Sequence, residues 1–221
     1  MIPISEVFIS RQGEGVRAGL RTLFLRVSGC NLVEEHNSPC QYPCDTDYAW
    51  YRKQGKMFEV SDIVEQVKMA CLVNNINEVC LTGGEPLFHE EIKELTYWLS
   101  RWYNLSIETN GSLPIWRDDH IMWSLDIKCP SSGNHQYNNY DNLALLGRKD
   151  QVKFIVADQN DIEFAKKVLS GVCFASIVFQ PSWKKLSLGE LWNMLDDKDL
   201  PQCRIGTQLH KIAFPIRKKG V

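Results

Sequence analysis

Short apolar runs recur along this chain, and most of them end in a polar, turn-forming stretch. Ile2 to Ser10 alternates loosely and predicts a first strand, followed by the glycine-flanked turn Arg11, Gln12, Gly13, Glu14, Gly15. Thr22, Leu23, Phe24 and Leu25, then Val27, predict a buried second strand. Val60, Ile63, Val64, Val67 and Cys71 recur at helical spacing, with Ser61 as a candidate N-cap. From there strands and helices alternate. Strands are predicted over Glu78 to Thr82, Leu105 to Glu108, Met122 to Ile127, Val152 to Val156 and Ser176 to Phe179, with a last one from Cys203 to Leu209 that ends at His210. Helices are predicted around Ile92, Leu95 and Leu99, over Ile162 to Leu169 and over Leu188 to Leu195. Such alternation implies a parallel sheet.

The polar residues fall at a regular place. CDT, GGEP, ETNG, KCPSSG and QP either follow a predicted strand directly or belong to the loop that does. In a parallel α/β fold the carboxyl ends of the strands share one rim, so a single pocket can collect all of these segments. Each tetrad alone is ordinary turn chemistry; together they point to a ligand site. Arg26 lies inside an apolar strand, where it needs an anionic ligand or a structural carboxylate.

The stretch Cys30 to Thr46, CNLVEEHNSPCQYPCDT, places Cys30, Cys40 and Cys44 on a loop after the second strand. Three thiolates without an obvious fourth suit an iron-sulfur cluster with one open iron, whereas a structural zinc site takes four ligands. His36 could supply that fourth ligand, and spacing alone leaves both readings open. The remaining cysteines, Cys71, Cys80, Cys129, Cys173 and Cys203, are scattered and read as reduced core residues.

Composition narrows the classes. The 221 residues with 44% hydrophobic content suffice for one core, so a single domain over residues 1–221 is expected. The formal charge of −2 gives no broad basic field for nucleic acid, and no apolar run approaches the length of a membrane span. The N-terminus carries no signal-peptide pattern, so a cytoplasmic protein is expected.

The three-cysteine loop and GGEP resemble the radical S-adenosylmethionine superfamily. QGEG, the arginine four residues before Cys30, CDT, TGGEP, ETNG, DIKCPSSG, VKFIV, QP and QLHK together resemble the 7-carboxy-7-deazaguanine synthase family, from Gln12 to His210. The resemblance implies an abbreviated, partly open (β/α)6-like barrel. It implies a radical ring contraction of 6-carboxy-5,6,7,8-tetrahydropterin to 7-carboxy-7-deazaguanine with loss of ammonia, S-adenosylmethionine being regenerated. Cys30, Cys40 and Cys44 would hold a 4Fe-4S cluster, and Thr46 would bind Mg²⁺ with Asp45 beside it. Gly84, Glu85, Lys128, Pro130, Ser131, Gln180 and Pro181 would contact S-adenosylmethionine. Gln12, Gly13, Glu14, Arg26, Thr82, His210 and Val221 would contact the pterin. A flavodoxin-like electron donor and a homodimer are further implications, with no nucleic-acid or membrane partner. Nine residues separate Cys30 from Cys40 and three separate Cys40 from Cys44, with Pro43 where the family usually has an aromatic residue. Tyr42 is therefore expected to take the place beside the adenine. The alternatives are an activase acting on a partner protein and a zinc-bound interaction module.

Overall fold

The computed structural model describes residues 1–42, 44–170, 174–195, 200, 202–214 and 219–220. Pro43, Cys173 and Val221 lie outside the described residues. The elements in chain order are β1 (Ile2–Arg11), β2 (Arg21–Val27), α1 (Asn31–Glu34), β3 (Lys56–Phe58), α2 (Val60–Asn74), β4 (Glu78–Gly83), α3 (Ile92–Leu99), β5 (Asn104–Thr109), β6 (Ile121–Ile127), β7 (Gln151–Val156), α4 (Gln159–Val168), β8 (Ser176–Pro181), α5 (Leu188–Met194), β9 (Arg204–Ile205) and α6 (Leu209–Ala213). The strands make one sheet in the order β3-β1-β2-β4-β5-β6-β7-β8-β9, open between β3 and β9. From β2 to β9 every neighbouring pair is parallel. The first edge differs, because β1 runs antiparallel to both β2 and β3.

Alternation along the strands decides what each face does. Leu23, Leu25 and Val27 of β2, Val79 and Leu81 of β4, Leu105 and Ile107 of β5, Trp123 and Leu125 of β6, and Phe154 of β7 all join one apolar core. That core also takes Ile63 and Val67 of α2, Leu95 and Leu99 of α3, and Ile162 of α4. The intervening residues, among them Arg26, Thr82, Glu108, Asp126 and Lys153, point to the opposite face, as period-two geometry requires. Strands of a parallel sheet are usually apolar on both faces; here the second face is polar because it walls a cavity.

The helices begin where local chemistry supplies a cap. Asp158 accepts a hydrogen bond from the Asp161 N–H at the start of α4, and Ser187 with Glu190 forms a capping box on α5. α2 starts one residue before the expected cap: Glu59 holds the cap position without a side-chain bond, and Ser61 sits inside the first turn. The strand expected over Cys203 to Leu209 is confined to Arg204–Ile205. Beyond it the Leu209 N–H donates to the Gly13 carbonyl at 2.9 Å, which draws the chain off the sheet and places His210 on α6.

Glu85 fastens two of the rim loops together. It is fully buried, and its carboxylate accepts from the Asn110 N–H at 2.6 Å, the Thr109 hydroxyl at 2.8 Å and the Leu87 N–H at 3.0 Å. Burial pushes its carboxyl up to about 7 from 4.5, against the lowering effect of those donors.

Two outcomes follow for stability. Leu81 is fully buried in β4, and Leu81→Ala is expected to lower unfolding free energy by about 2–5 kcal/mol in urea titrations. Because the folded-state value of Glu85 is raised, its contribution is fully present below about pH 4.5 and is lost as pH rises through about 7. Denaturant titrations across that window should show the wild type losing stability relative to Glu85→Gln as pH increases.

Candidate active site

The rim loops surround a cavity of about 490 Å³ that takes in Cys30, Cys40 and Cys44 at one side and Glu14, Arg26 and Lys153 at the other. Cys30 is fixed by the backbone around it: its N–H donates to the Trp50 carbonyl at 2.8 Å, and its own carbonyl accepts from Glu34 at 2.8 Å, which starts α1. Cys30, Leu32 and Val33 form a small second core, with Trp50 and Tyr137 packed against it. Burial pushes the Cys30 thiol up to about 12, with the nearby Glu85 carboxylate adding to the rise, and burial also raises Cys40. Such thiols become thiolates only beside a cationic centre.

The thiol spacing separates the two metal readings. Around one tetrahedral zinc, sulfurs bound at about 2.3 Å lie roughly 3.8 Å apart. Among the described residues the one group of three metal-binding atoms within 4.8 Å of one another is Glu14, Asp45 and His210, so the three thiols spread more widely than a single ion allows. His36 stacks on Tyr137, ring centroids 4.3 Å apart, rather than joining the cysteines. The donor set fits a larger cluster.

The residues expected around S-adenosylmethionine and Mg²⁺ divide into two groups. Tyr42, Asp45, Thr46, Gly84 and Lys128 line the cavity. Tyr42 is 9% exposed, with its hydroxyl 3.5 Å from the Ile155 carbonyl, so its ring does not face solvent. Burial would lower the Lys128 ammonium, yet Asp126 at 3.2 Å holds it well above the usual range. The Thr46 hydroxyl donates to the Gly83 carbonyl at 3.3 Å. Glu85, Pro130, Ser131, Gln180 and Pro181 do not line this cavity. Glu85 is enclosed as described above, the Ser131 hydroxyl is bonded to Asp161 at 2.5 Å, and Pro181 borders an adjoining groove. Gln180 is fully buried beside Ile155 in the sheet register, and both of its amide atoms lack a partner among the described residues. Buried amides are nearly always bonded, so this one marks room for a polar ligand or water close to the cavity wall.

The other side is built by a segment that comes from the far end of the sheet. After β1 the chain crosses the polar face instead of turning tightly back into β2. The Gln12 amide donates to Glu108 at 3.0 Å, and the Thr82 hydroxyl donates to the same carboxylate at 2.8 Å. Gly15 has φ of +68° and lies against Gln151, whose side-chain oxygen accepts from the Val16 N–H at 2.8 Å; a Cβ at Gly15 would fall 2.3 Å from the Gln151 amide. The imidazole of His210 lies over Gly13, where a Cβ would come within 2.2 Å of its Nδ1. Only glycine admits both contacts.

Charge at this end is closely paired. Lys153 is 6% exposed and reaches Glu14 at 2.7 Å and Asp126 at 3.2 Å. Burial would push the Glu14 carboxyl up, but the Lys153 ammonium, with hydrogen bonds from it and from Gln208, holds it well below its ordinary value. Burial likewise opposes the Lys153 charge, and Asp126 and Glu14 overcome it, keeping the ammonium protonated. Arg26 gives its Nε to Glu6 at 3.0 Å; its two terminal nitrogens make no hydrogen bond among the described residues. Asp45 pairs with Lys211 at 2.8 Å and accepts from Gln208 at 3.1 Å. Lys153, Asp126, Glu108 and Gln208 were not among the residues expected from the sequence. The signal for the first three is strict alternation within VKF, LDI and SIE, polar residues beside core positions on parallel strands.

Residues 11–113 match the sequence profile of a 4Fe-4S single cluster domain. The chain is 35% identical over 96% of its length to the 7-carboxy-7-deazaguanine synthase of Methanospirillum hungatei, covering 86% of that protein. It is 35% identical over 96% of its length to the enzyme of the same name from Thermoplasma acidophilum, covering 96% of it. Its fold is similar to the crystal structure of QueE from Escherichia coli, with a TM-score of 0.66 at 21% identity, covering 94% of this chain and 93% of that one. Relatives of this identity span the strands that carry the thiol loop as well as those that carry the charged end of the cavity, and the chain therefore belongs to the 7-carboxy-7-deazaguanine synthase family.

Proposed function

We propose that the cavity converts 6-carboxy-5,6,7,8-tetrahydropterin to 7-carboxy-7-deazaguanine with loss of ammonia, using the residues placed around it as follows. One observation carries the reading: a single cavity joins three cysteine thiols to an arginine with uncommitted terminal nitrogens and a buried, ionised glutamate. Cys30, Cys40 and Cys44 hold the 4Fe-4S cluster, which together with S-adenosylmethionine supplies one-electron, hydrogen-abstracting chemistry when bound.

The protein's own part is to bind, orient and keep out water. The Arg26 terminal nitrogens take the substrate carboxylate in a planar, two-pronged pair. Glu14, kept ionised by Lys153, accepts from the N–H groups of the aminopyrimidine edge, and Gln12 and Thr82, through Glu108, hold the floor beneath the ring. His210 over Gly13 can accept or return a proton at a ring nitrogen as the amine departs. Thr46 would offer one hard oxygen to Mg²⁺, which would supply a positive charge beside the substrate. Tyr42 presents its ring to the adenine, and Lys128 offers a charge to the cofactor. Gln180 stands behind the cavity wall with an amide that has no partner among the described residues. The chain works as one domain over residues 1–221 in the cytoplasm, as a homodimer supplied with electrons by a flavodoxin-like protein. Among the described residues no helix is long and apolar enough to cross a membrane.

Anaerobically reconstituted protein given the pterin, S-adenosylmethionine, Mg²⁺ and a reductant should yield a species lighter by one ammonia by mass spectrometry, with S-adenosylmethionine not consumed in proportion. Accumulation of deoxyadenosine beside untouched pterin would overturn the substrate assignment. Arg26→Gln should lower kcat/KM by about 10- to 100-fold, the loss of one charge-assisted pair, chiefly through KM. An unchanged KM would remove Arg26 from carboxylate binding.

A further inference from the structure

Each of the three cysteine sulfurs has its own side-chain N–H donor. The Trp50 indole Nε1 lies 3.2 Å from the Cys44 Sγ, the Asn134 amide nitrogen 3.7 Å from Cys40, and the Asn110 amide nitrogen 3.9 Å from Cys30. The donors come from three separate segments and are individually fixed. Trp50 packs on the small core around Cys30, and its carbonyl accepts the Cys30 N–H. Asn134 is fully buried; its backbone N–H donates to the Ser132 hydroxyl, and its side-chain oxygen has no partner among the described residues. Asn110 is held through its backbone N–H by Glu85, and the same amide nitrogen also donates to Asn31 at 3.0 Å.

A fully buried asparagine that spends its amide on a thiol and leaves its carbonyl unmet is expensive if the thiol is only a thiol, because S–H and S are weak hydrogen-bonding groups. The arrangement gains its value where the sulfur carries negative charge. We propose that Trp50, Asn134 and Asn110 are positioning residues that set the reduction potential of the cluster, a reading that rests on the assignment of Cys30, Cys40 and Cys44 as its ligands. Reduction adds an electron to a centre whose charge is partly on sulfur, and an N–H dipole aimed at sulfur stabilises the reduced form more than the oxidised one. Each donor therefore raises the potential. Trp50, with the shortest contact, contributes most.

The test is a redox titration of the anaerobically reconstituted chain, followed by the electron paramagnetic resonance signal of the reduced cluster, after iron and sulfide analysis of every sample. Trp50→Phe keeps the ring and removes the donor. At the wild-type midpoint its reduced-to-oxidised ratio should fall about fivefold, with a smaller fall for Asn134→Leu. Asn134→Gln, which retains an amide, should restore part of the loss, and Tyr137→Phe, in the same apolar jacket but without an N–H near sulfur, should leave the midpoint where it was. Pulsed resonance on the wild type moved into D₂O should show exchangeable deuterons coupled to the cluster, a readout that needs no variant. A fully loaded Trp50→Phe protein with the wild-type midpoint overturns the proposal, as does wild-type protein without such couplings. A wild-type chain that assembles no 4Fe-4S cluster overturns the ligand assignment beneath it, and the iron and sulfide analysis tells the two failures apart.

Discussion

A lysine ammonium inside a sheet has to be answered by negative charge, because removing it from water costs several kcal/mol before any partner is counted. Lys153 is such a group, and its two carboxylates arrive from opposite directions. Asp126 stands on the neighbouring strand, while Glu14 is brought across the face by the segment after β1. Meeting that demand dictates much of the remaining geometry. The crossing segment must reach β7, so it docks on Gln151; the segment after β9 must leave the sheet, so that Gln208 can donate to Glu14 and His210 can cover Gly13. Removing one member of such a set leaves an unpaired charge, which is more damaging than never having buried the set.

The two faces of the sheet thus obey different rules. The outer face is packed by apolar residues and helices, while the inner one is a lattice of paired charges and amides that becomes the ligand wall. The same division explains what could be read from the chain. The positions of β2 and of β4 to β8 are visible in the apolar runs, and the rim loops are visible as turn residues after them. The polar members of the alternation, Ser106 and Glu108, Ser124 and Asp126, Lys153, carry equal information, yet a polar residue inside a short apolar run reads first as an interruption. Other features were out of reach. The antiparallel direction of β1, a strand expected over Ile2 to Ser10, and the existence of the three-residue β3 depend on edge pairing that no local period encodes, and the path of His210 depends on one backbone bond to Gly13.

The widened cysteine loop is accommodated by clamping rather than by slack. Its first residues coil into α1, His36 stacks on Tyr137, and the Gln41 N–H donates to the Ser132 carbonyl at 2.9 Å. The insert between Cys30 and Cys40 is thereby tied to the stretch after β6, the same stretch that supplies Asn134. Sulfur positions and donor positions are fixed by one set of contacts, which is why an unusual spacing is compatible with an orderly group of three thiols.

The pairing of Glu14 with Lys153 closes a loop 139 residues apart in sequence, and that of Gln208 with Glu14 one of 194. Contacts of this range form only after the intervening strands have found their neighbours, since loop closure is opposed by chain entropy until other contacts repay it. During synthesis the cysteine loop and β4 leave the ribosome long before their counterparts on β7 and α6. A nascent chain therefore carries a half-formed polar sheet face for as long as it takes the last third of the protein to appear. The order of assembly makes the cluster side old and the substrate side late.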